Sequence, residues 1–471
     1  MTKLQKEEVL YMGFDKIVLA RGITTTSDSG TTGRNNNQAI VGGSGSGKTM
    51  SITEPLLLNT TERNLIVTVT KPRIIRMYAP LLRERGYRVD VVDFTNPDNS
   101  TLAYDPLHYV RTFDDISFMA RTIVMANPEK KGSKADPYWD EAAISLLSAL
   151  MAYVMMMNPE PSLADVVELY RNMNINYNSN NITTSLDTRF LRLNSQAPGN
   201  FAWMNWQTFK NLPGRTAACV ISALNVTLGS LFDPNLLGMM KLPTKLDFVR
   251  QAQEKTVLFL VTSPVNPSLN FFISQFYATA LKELFDHAQS CPYGRLPIPM
   301  HIACDDFATG APIPDFPQYI SIIREADLSV SILCQSESQL ESLYGCAGAT
   351  TILNNCDTYI FTGSMDLATA RSVSQRLNRP LEDCLNLPIG KFAIFRRGMA
   401  PVLAERYNIL QDPLYVQVSQ RYHQVAQDEV PNPRPRGERT IPRLYNPRPK
   451  PTTPSGELDE LVGIILGDTA D

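Results

Sequence analysis

The sequence predicts an α/β fold: a mostly parallel sheet, interrupted by an all-α insertion and followed by a Pro/Arg-rich C-terminal tail. Three observations predict it. A glycine-rich turn at 42–49 joins the short apolar run Ala39-Ile40-Val41 to a stretch of helical character. Apolar, β-branched runs such as LIVTV (65–69) and TVLFLVT (256–262) alternate with segments of helical spacing. Such runs fit strands buried on both faces, with helices as right-handed crossovers. Between about 112 and 250 that rhythm stops, and only helical patterns remain.

In chain order, residues 22–38 are rich in Gly, Thr, Ser and Asn and read as a loop. Strands follow at 39–41, 65–69 and 88–94. The helix over 74–85 ends at Gly86, a natural left-handed cap. Within the insertion, Asp136 caps a helix with Pro137 at its first position and acids in its first turn. Its continuation, 144–157, is the longest apolar stretch, yet shorter than a membrane span needs, so it reads as a buried helix. Further helices are expected at 162–172 and 216–231, with a surface loop over 174–195. Strands resume at 256–262, 299–304, 328–334, 358–362 and 392–395, with helices at 272–287 and 366–377 between them. The expected divisions are 1–111 and 251–415 for the sheet domain, 112–250 for the insertion and 416–471 for the tail.

The chain has 471 residues and a formal net charge of −3, with 43% hydrophobic and 19% charged residues. That is a globular composition with ample core. It excludes a generally basic nucleic-acid coat but allows a local basic lining. The seven cysteines include no CxxC pair, which predicts reduced thiols and no zinc ribbon. The four histidines are scattered without metal-ligand spacing. Trp203, Trp206 and the run Met155-Met156-Met157 read as helix packing. No signal peptide is visible, so the chain is expected in the cytoplasm or at the inner face of the cell membrane. In the tail, 431–450 holds six prolines and a net charge of +5, an extended linker. Residues 455–471 carry five acids around an apolar run, read either as a disordered end or as a partner-docking peptide.

Gly42, Gly43, Ser44, Gly45, Ser46, Gly47, Lys48 and Thr49 fit GxxxxGK[ST] between a strand and a helix. Glycines let the backbone wrap phosphate, so that successive N–H groups face its oxygens. Lys48 would reach the β- and γ-phosphates and the Thr49 hydroxyl would bind Mg²⁺. ATP and Mg²⁺ are the expected ligands. The run MHIACDD places Asp305 as the metal-side acid and Asp306 as the group that polarises the attacking water. Gln335, at the end of a strand, is a candidate γ-phosphate sensor. Arg324 is a candidate arginine finger across a subunit boundary. A structural Gln and a surface Arg are the plain alternatives.

These residues resemble the coupling ATPases of type IV secretion systems, the conjugative DNA-transfer family. GGSGSGKT looks like that family's glycine loop. Asp305-Asp306-Phe307-Ala308-Thr309-Gly310, followed by Ile313-Pro314-Asp315-Phe316, resembles its Asp-Glu-Phe-Ala-Asn-(Ile)-Gly…Ile-Pro-Asp-Phe stretch. Residues 320–345, the turn Asn354-Asn355-Cys356-Asp357, and Gly132-Ser133 with Asp136 to Trp139 are similar to further family segments. The resemblance runs from about 37 to 410. It implies a RecA-like P-loop NTPase domain with an inserted helical domain that reads substrate. It also implies a hexameric ring that uses ATP to pass DNA or a relaxase nucleoprotein to the secretion channel. Three departures stand out. Asp306 replaces the usual Glu. Val69-Thr70-Lys71-Pro72 keeps only the Lys of an Asp-Pro-Lys-Gly-type turn. The membrane anchor usual in the family is not seen, which reads either as a soluble branch or as a chain that needs a separate membrane partner. A nucleotide-gated recruitment platform with little turnover is the competing function.

Overall fold

The structure is a computed structural model that describes residues 13–126, 137–177, 182–263, 265–307 and 310–428. The expected tail features at 431–471 and the segment around Gly132, Ser133 and Asp136 lie outside the described residues.

Thirteen strands form among the described residues. They are β1 (Lys16–Ala20), β2 (Ile23–Thr26), β3 (Gln38–Val41), β4 (Asn64–Val69), β5 (Arg88–Asp93), β6 (Ile175–Tyr177), β7 (Ile182–Thr184), β8 (Thr256–Val261), β9 (Met300–Cys304), β10 (Leu328–Cys334), β11 (Thr358–Phe361), β12 (Lys391–Arg396) and β13 (Val402–Glu405). Nine of them make one sheet in the order β13-β12-β11-β3-β10-β9-β4-β8-β5. The pairs from β11 to β5 are parallel, and β12 and β13 extend that sheet antiparallel. The central strands are buried along their whole length. This is why their sequences are apolar without alternation.

Alternate side chains still face opposite layers. Ala39, Val41, Ile332 and Phe361 face the main core, which continues without a break into the inserted helices. Ile40, Leu333, Ile360 and Ile394 face a smaller core completed by Ile17 and Leu19 of β1. The segment 22–38 is therefore not all loop. Residues Ile23–Thr26 pair antiparallel with β1, and Ser29–Thr32 form a helical turn. Their Thr and Gly content concealed a hairpin that needs β-branched residues on one exposed side.

Asp15, at the foot of that hairpin, is buried against Arg63, with Oδ2 3.0 Å from Nε. Its Oδ1 accepts hydrogen bonds from the Thr61 and Glu62 backbone N–H groups at 2.7 and 2.9 Å. Burial presses the Arg63 guanidinium below its usual range, and Asp15 opposes that shift. Removing one partner strands the other's charge in the core. Asp15→Ala should lose about 3–5 kcal/mol, read as a fall in the urea midpoint; a loss under about 1 kcal/mol would contradict this role for the pair.

The insertion is mainly helical. Its longest helix, Pro137–Met157, packs its apolar length beside Phe113–Met125 and Phe201–Lys210, with Leu146, Leu147, Leu150 and Met151 fully buried. It is long and apolar enough to cross a membrane by length and composition, but most of it is enclosed by protein. Met155 packs on the core, whereas Met156 and Met157 are exposed. Trp206 is buried and stacks on Phe190 at 4.1 Å. The expected loop at 174–195 and the all-α reading need correction here. Residues Ile175–Tyr177 and Ile182–Thr184 pair as a short hairpin, and Asp187–Gln196 is a helix. The hairpin strands are three residues each, too short to leave a periodic signal.

The helix starts follow the sequence. Ser162 caps Leu163–Arg171 and Asp366 caps Leu367–Leu377 through their side chains. The boundary expected at 415 falls inside the helix Pro413–Asp428. All seven cysteines are free, and burial pushes the Cys304 and Cys334 thiols up to about 12. His301 is a core histidine, satisfied by Ser329 and Ser331 at 2.8 and 2.9 Å and kept neutral chiefly by burial.

Candidate functional site

Strand β3 ends at Val41, and the glycine loop turns out above the C-terminal edge of the sheet. Gly42 sits where no side chain fits: a Cβ there would stand 1.8 Å from the Thr362 hydroxyl. The Gly43 N–H donates to the Gly363 carbonyl at 2.8 Å, so the loop is tied to the end of β11. Gly47 has φ +88°, which side-chain-bearing residues rarely adopt. The helix after the loop opens with a π-helical turn, Thr49–Thr53, before Glu54–Asn59 continues as α. Such turns concentrate at functional sites.

The Lys48 ammonium donates to the carbonyls of Gly42 and Gly43 and lies almost wholly buried. Burial lowers its pKa, and the charges of Asp305 and Asp306 partly offset that. The Thr49 hydroxyl donates to Asp305 Oδ2 at 2.9 Å, bringing the loop and the end of β9 together. Burial raises the Asp305 carboxyl above its usual range, the Thr49 hydrogen bond opposes the shift, and neighbouring Asp306 adds to it. Asp306 follows with φ +52°, a left-handed conformation that Asp tolerates better than most residues.

Ser44, Gly45, Ser46, Gly47, Lys48, Thr49, Asp305, Asp306 and Gln335 all line one cleft of about 400 Å³. Gln335 reaches it because β10 runs parallel beside β3. Arg324 is not brought there. It lies in the turn Ile323–Ala326 that precedes β10, so the length of that strand, about 20 Å, separates it from the loop. It lines a separate cavity with Arg63, Arg295 and Asp327.

Sequence reasoning missed several neighbours. Thr362 donates to Ser46 Oγ at 2.8 Å and braces the loop from the next strand. Lys71 and Arg73 add positive charge to the cleft wall, beside Thr70. Buried Glu54 accepts from the Tyr78 hydroxyl at 2.7 Å, and burial raises its pKa. A hydroxyl at the end of an apolar strand was the only sequence signal for Thr362; the others depend on packing between distant segments.

The fold is similar to that of several solved structures. The bacterial conjugative coupling protein TrwBdeltaN70, in its unbound monoclinic form, superposes with a TM-score of 0.59 at 15% identity, covering 86% of this chain and 92% of that one. The plasmid coupling protein TrwB in complex with the non-hydrolysable ATP analogue ADPNP gives 0.59 at 16%, covering 83% and 89%. The same protein in complex with ADP and Mg²⁺ gives 0.58 at 16%, covering 83% and 88%. At such identities the likeness is one of fold, a RecA-like P-loop NTPase. No curated protein matches the chain by sequence. Residues 6–379 match the family model described as type IV secretory system conjugative DNA transfer, and the chain belongs to that family.

Proposed function

We propose that this chain is a coupling ATPase that binds and hydrolyses Mg-ATP to pass DNA or a relaxase nucleoprotein to a type IV secretion channel. The observation that carries the reading is the Thr49–Asp305 hydrogen bond of 2.9 Å, within a cleft that also holds the glycine loop, Asp306 and Gln335. A hydroxyl and a carboxylate at that spacing suit the two protein contacts of a Mg²⁺ water shell. The solved TrwB complexes with ADPNP and with ADP and Mg²⁺ support the same ligands here.

In this reading the loop N–H groups and Lys48 hold the β- and γ-phosphates. Thr49 and Asp305 hold the metal, which neutralises charge on the phosphates when bound. Asp306 polarises the attacking water and Gln335 orients it against the γ-phosphate. Arg324, remote from its own cleft, serves a neighbouring subunit, which requires a ring; a hexamer suits the family. The helical segment reads the substrate, and the ring works in the cytoplasm against the inner membrane face. Substrate DNA pairs through phosphates, so its affinity falls with salt.

A second reading, a nucleotide-gated recruitment platform with little turnover, is favoured by Asp306. Its carboxyl is one methylene shorter than the family's Glu, on a backbone fixed at φ +52°. Steady-state ATP turnover separates the two. It is measured without DNA, with single-stranded DNA and with duplex DNA. Turnover that rises with DNA supports the motor. Tight Mg-ATP binding without turnover in any condition sinks it in favour of the platform.

A further inference from the structure

Arg406 lies just past the last strand of the sheet, beyond residue 379 where the family match ends. Its backbone N–H donates to the Gly390 carbonyl at 2.8 Å, which pins the segment after β13 to the turn before β12. From there the side chain reaches the glycine loop. A Cβ at Gly47 would stand only 2.9 Å from Arg406 Nη1. Arg406 is an exposed residue. The adjacent Glu405 is already engaged by Arg21 at 2.8 Å and Lys391 at 3.2 Å.

Sheet order fixes which end of a nucleotide this cation meets. Asp305 and Asp306 follow β9, and Gln335 follows β10, both on one side of β3. A triphosphate whose γ end faces them turns its ribose and base toward the opposite side. That side is β11, β12 and β13, where Arg406 emerges. Two apolar side chains stand nearby, one in the cleft and one beside Gly390, where a Cβ would lie 3.9 Å from Arg406 Nε. Met50 lines the cleft and is partly exposed, and Ile389, next to Gly390, is 98% exposed.

We propose that Arg406, with Ile389 beside it, forms the nucleobase end of the site, the planar guanidinium covering the base of a bound nucleoside triphosphate. The inference rests on nucleotide binding at the glycine loop, as in the function proposed above, but not on turnover. A guanidinium against an aromatic face gains from its charge and its planarity together, which an ammonium cannot match.

The test is calorimetric titration of the full chain with Mg-ATP and, separately, with inorganic tripolyphosphate, which has the phosphates and no base. Arg406→Ala should weaken ATP about 10-fold and change tripolyphosphate by less than about 2-fold. Arg406→Lys should fall between wild type and Arg406→Ala for ATP. Equal losses for both ligands overturn the proposal, because they place the residue on the phosphates or on loop integrity. Unchanged ATP affinity overturns it as well. Lys48→Ala tests the underlying site on its own and should abolish binding of both ligands. If wild-type protein binds neither, the site and this inference fall together.

Discussion

Asp305→Asn should cut ATP turnover by about 10²–10³-fold while leaving the folded protein as stable as wild type or more so. The two halves have one cause. In the folded chain burial and Asp306 raise the Asp305 carboxyl above its ordinary range, with the Thr49 hydrogen bond only partly opposing. A raised folded-state pKa means that the native state binds this proton more readily than the unfolded chain does. The carboxyl therefore favours folding most at low pH, and that favour is lost as pH rises through the folded-state pKa. Wherever it is ionised in the folded chain, the buried Asp305 carboxylate is a cost to the fold. Asparagine removes the charge and keeps an oxygen to accept from Thr49. Thermal melting and steady-state turnover on the same samples check both halves. A melting temperature that drops by several degrees would place Asp305 in the scaffold and not in metal chemistry.

Gly42→Ala should damage both the fold and the site. The added methyl would stand 1.8 Å from Thr362 Oγ1 and 3.0 Å from the Gly363 carbonyl. The Thr362 hydroxyl cannot swing aside freely, since it bonds Ser46 Oγ and the chain around it is buried. Relief must come from shifting the loop. Overpacking of this kind costs about 1–3 kcal/mol, and a displaced loop should weaken Mg-ATP by at least about 10-fold. Thr362→Ala, added to Gly42→Ala, removes the nearest atom and should restore part of the stability. The non-additivity measures the clash directly. If the double variant is as unstable as the sum of the singles, the contact is not what excludes a side chain at Gly42.

Eight of the nine strands in the main sheet were legible in sequence because each carries an apolar run, continuous where the strand is buried on both faces, as in β4 and β8, and shorter in β5 and β12. The ninth, β13, lies at the open edge with three of its four residues exposed, so its composition gave no strand signal. β2 escaped for a related reason: it is four residues long, and of Thr24, Thr25 and Thr26 only Thr26 is buried. β1 is a buried apolar run, Ile17 to Ala20, that the sequence reading passed over. The site divided the same way. Lys48, Thr49, Asp305 and Asp306 announce themselves by motif, because their chemistry demands consecutive residues at a strand end. Gln335 was legible once β10 was placed. Thr362 and Arg406 approach the loop from strands far along the chain, and no local pattern records such an approach. Arg324 was named from its place before β10, a reading the resemblance reinforced, and the fold carries it to the far end of β10 from its own cleft.

The position of β3 also sets a timetable for synthesis. This strand, which bears the phosphate loop, pairs only with β10 and β11, whose residues begin at 328 and 358. About 290 residues must be added before its first neighbour exists, roughly 15–60 s at ordinary ribosomal speeds. The helices of the insertion have each other for company much sooner. The emerging chain therefore carries β3 as an unpaired apolar strand while the helices of the insertion already have their neighbours. In that interval β3 is exposed to chaperones and proteases.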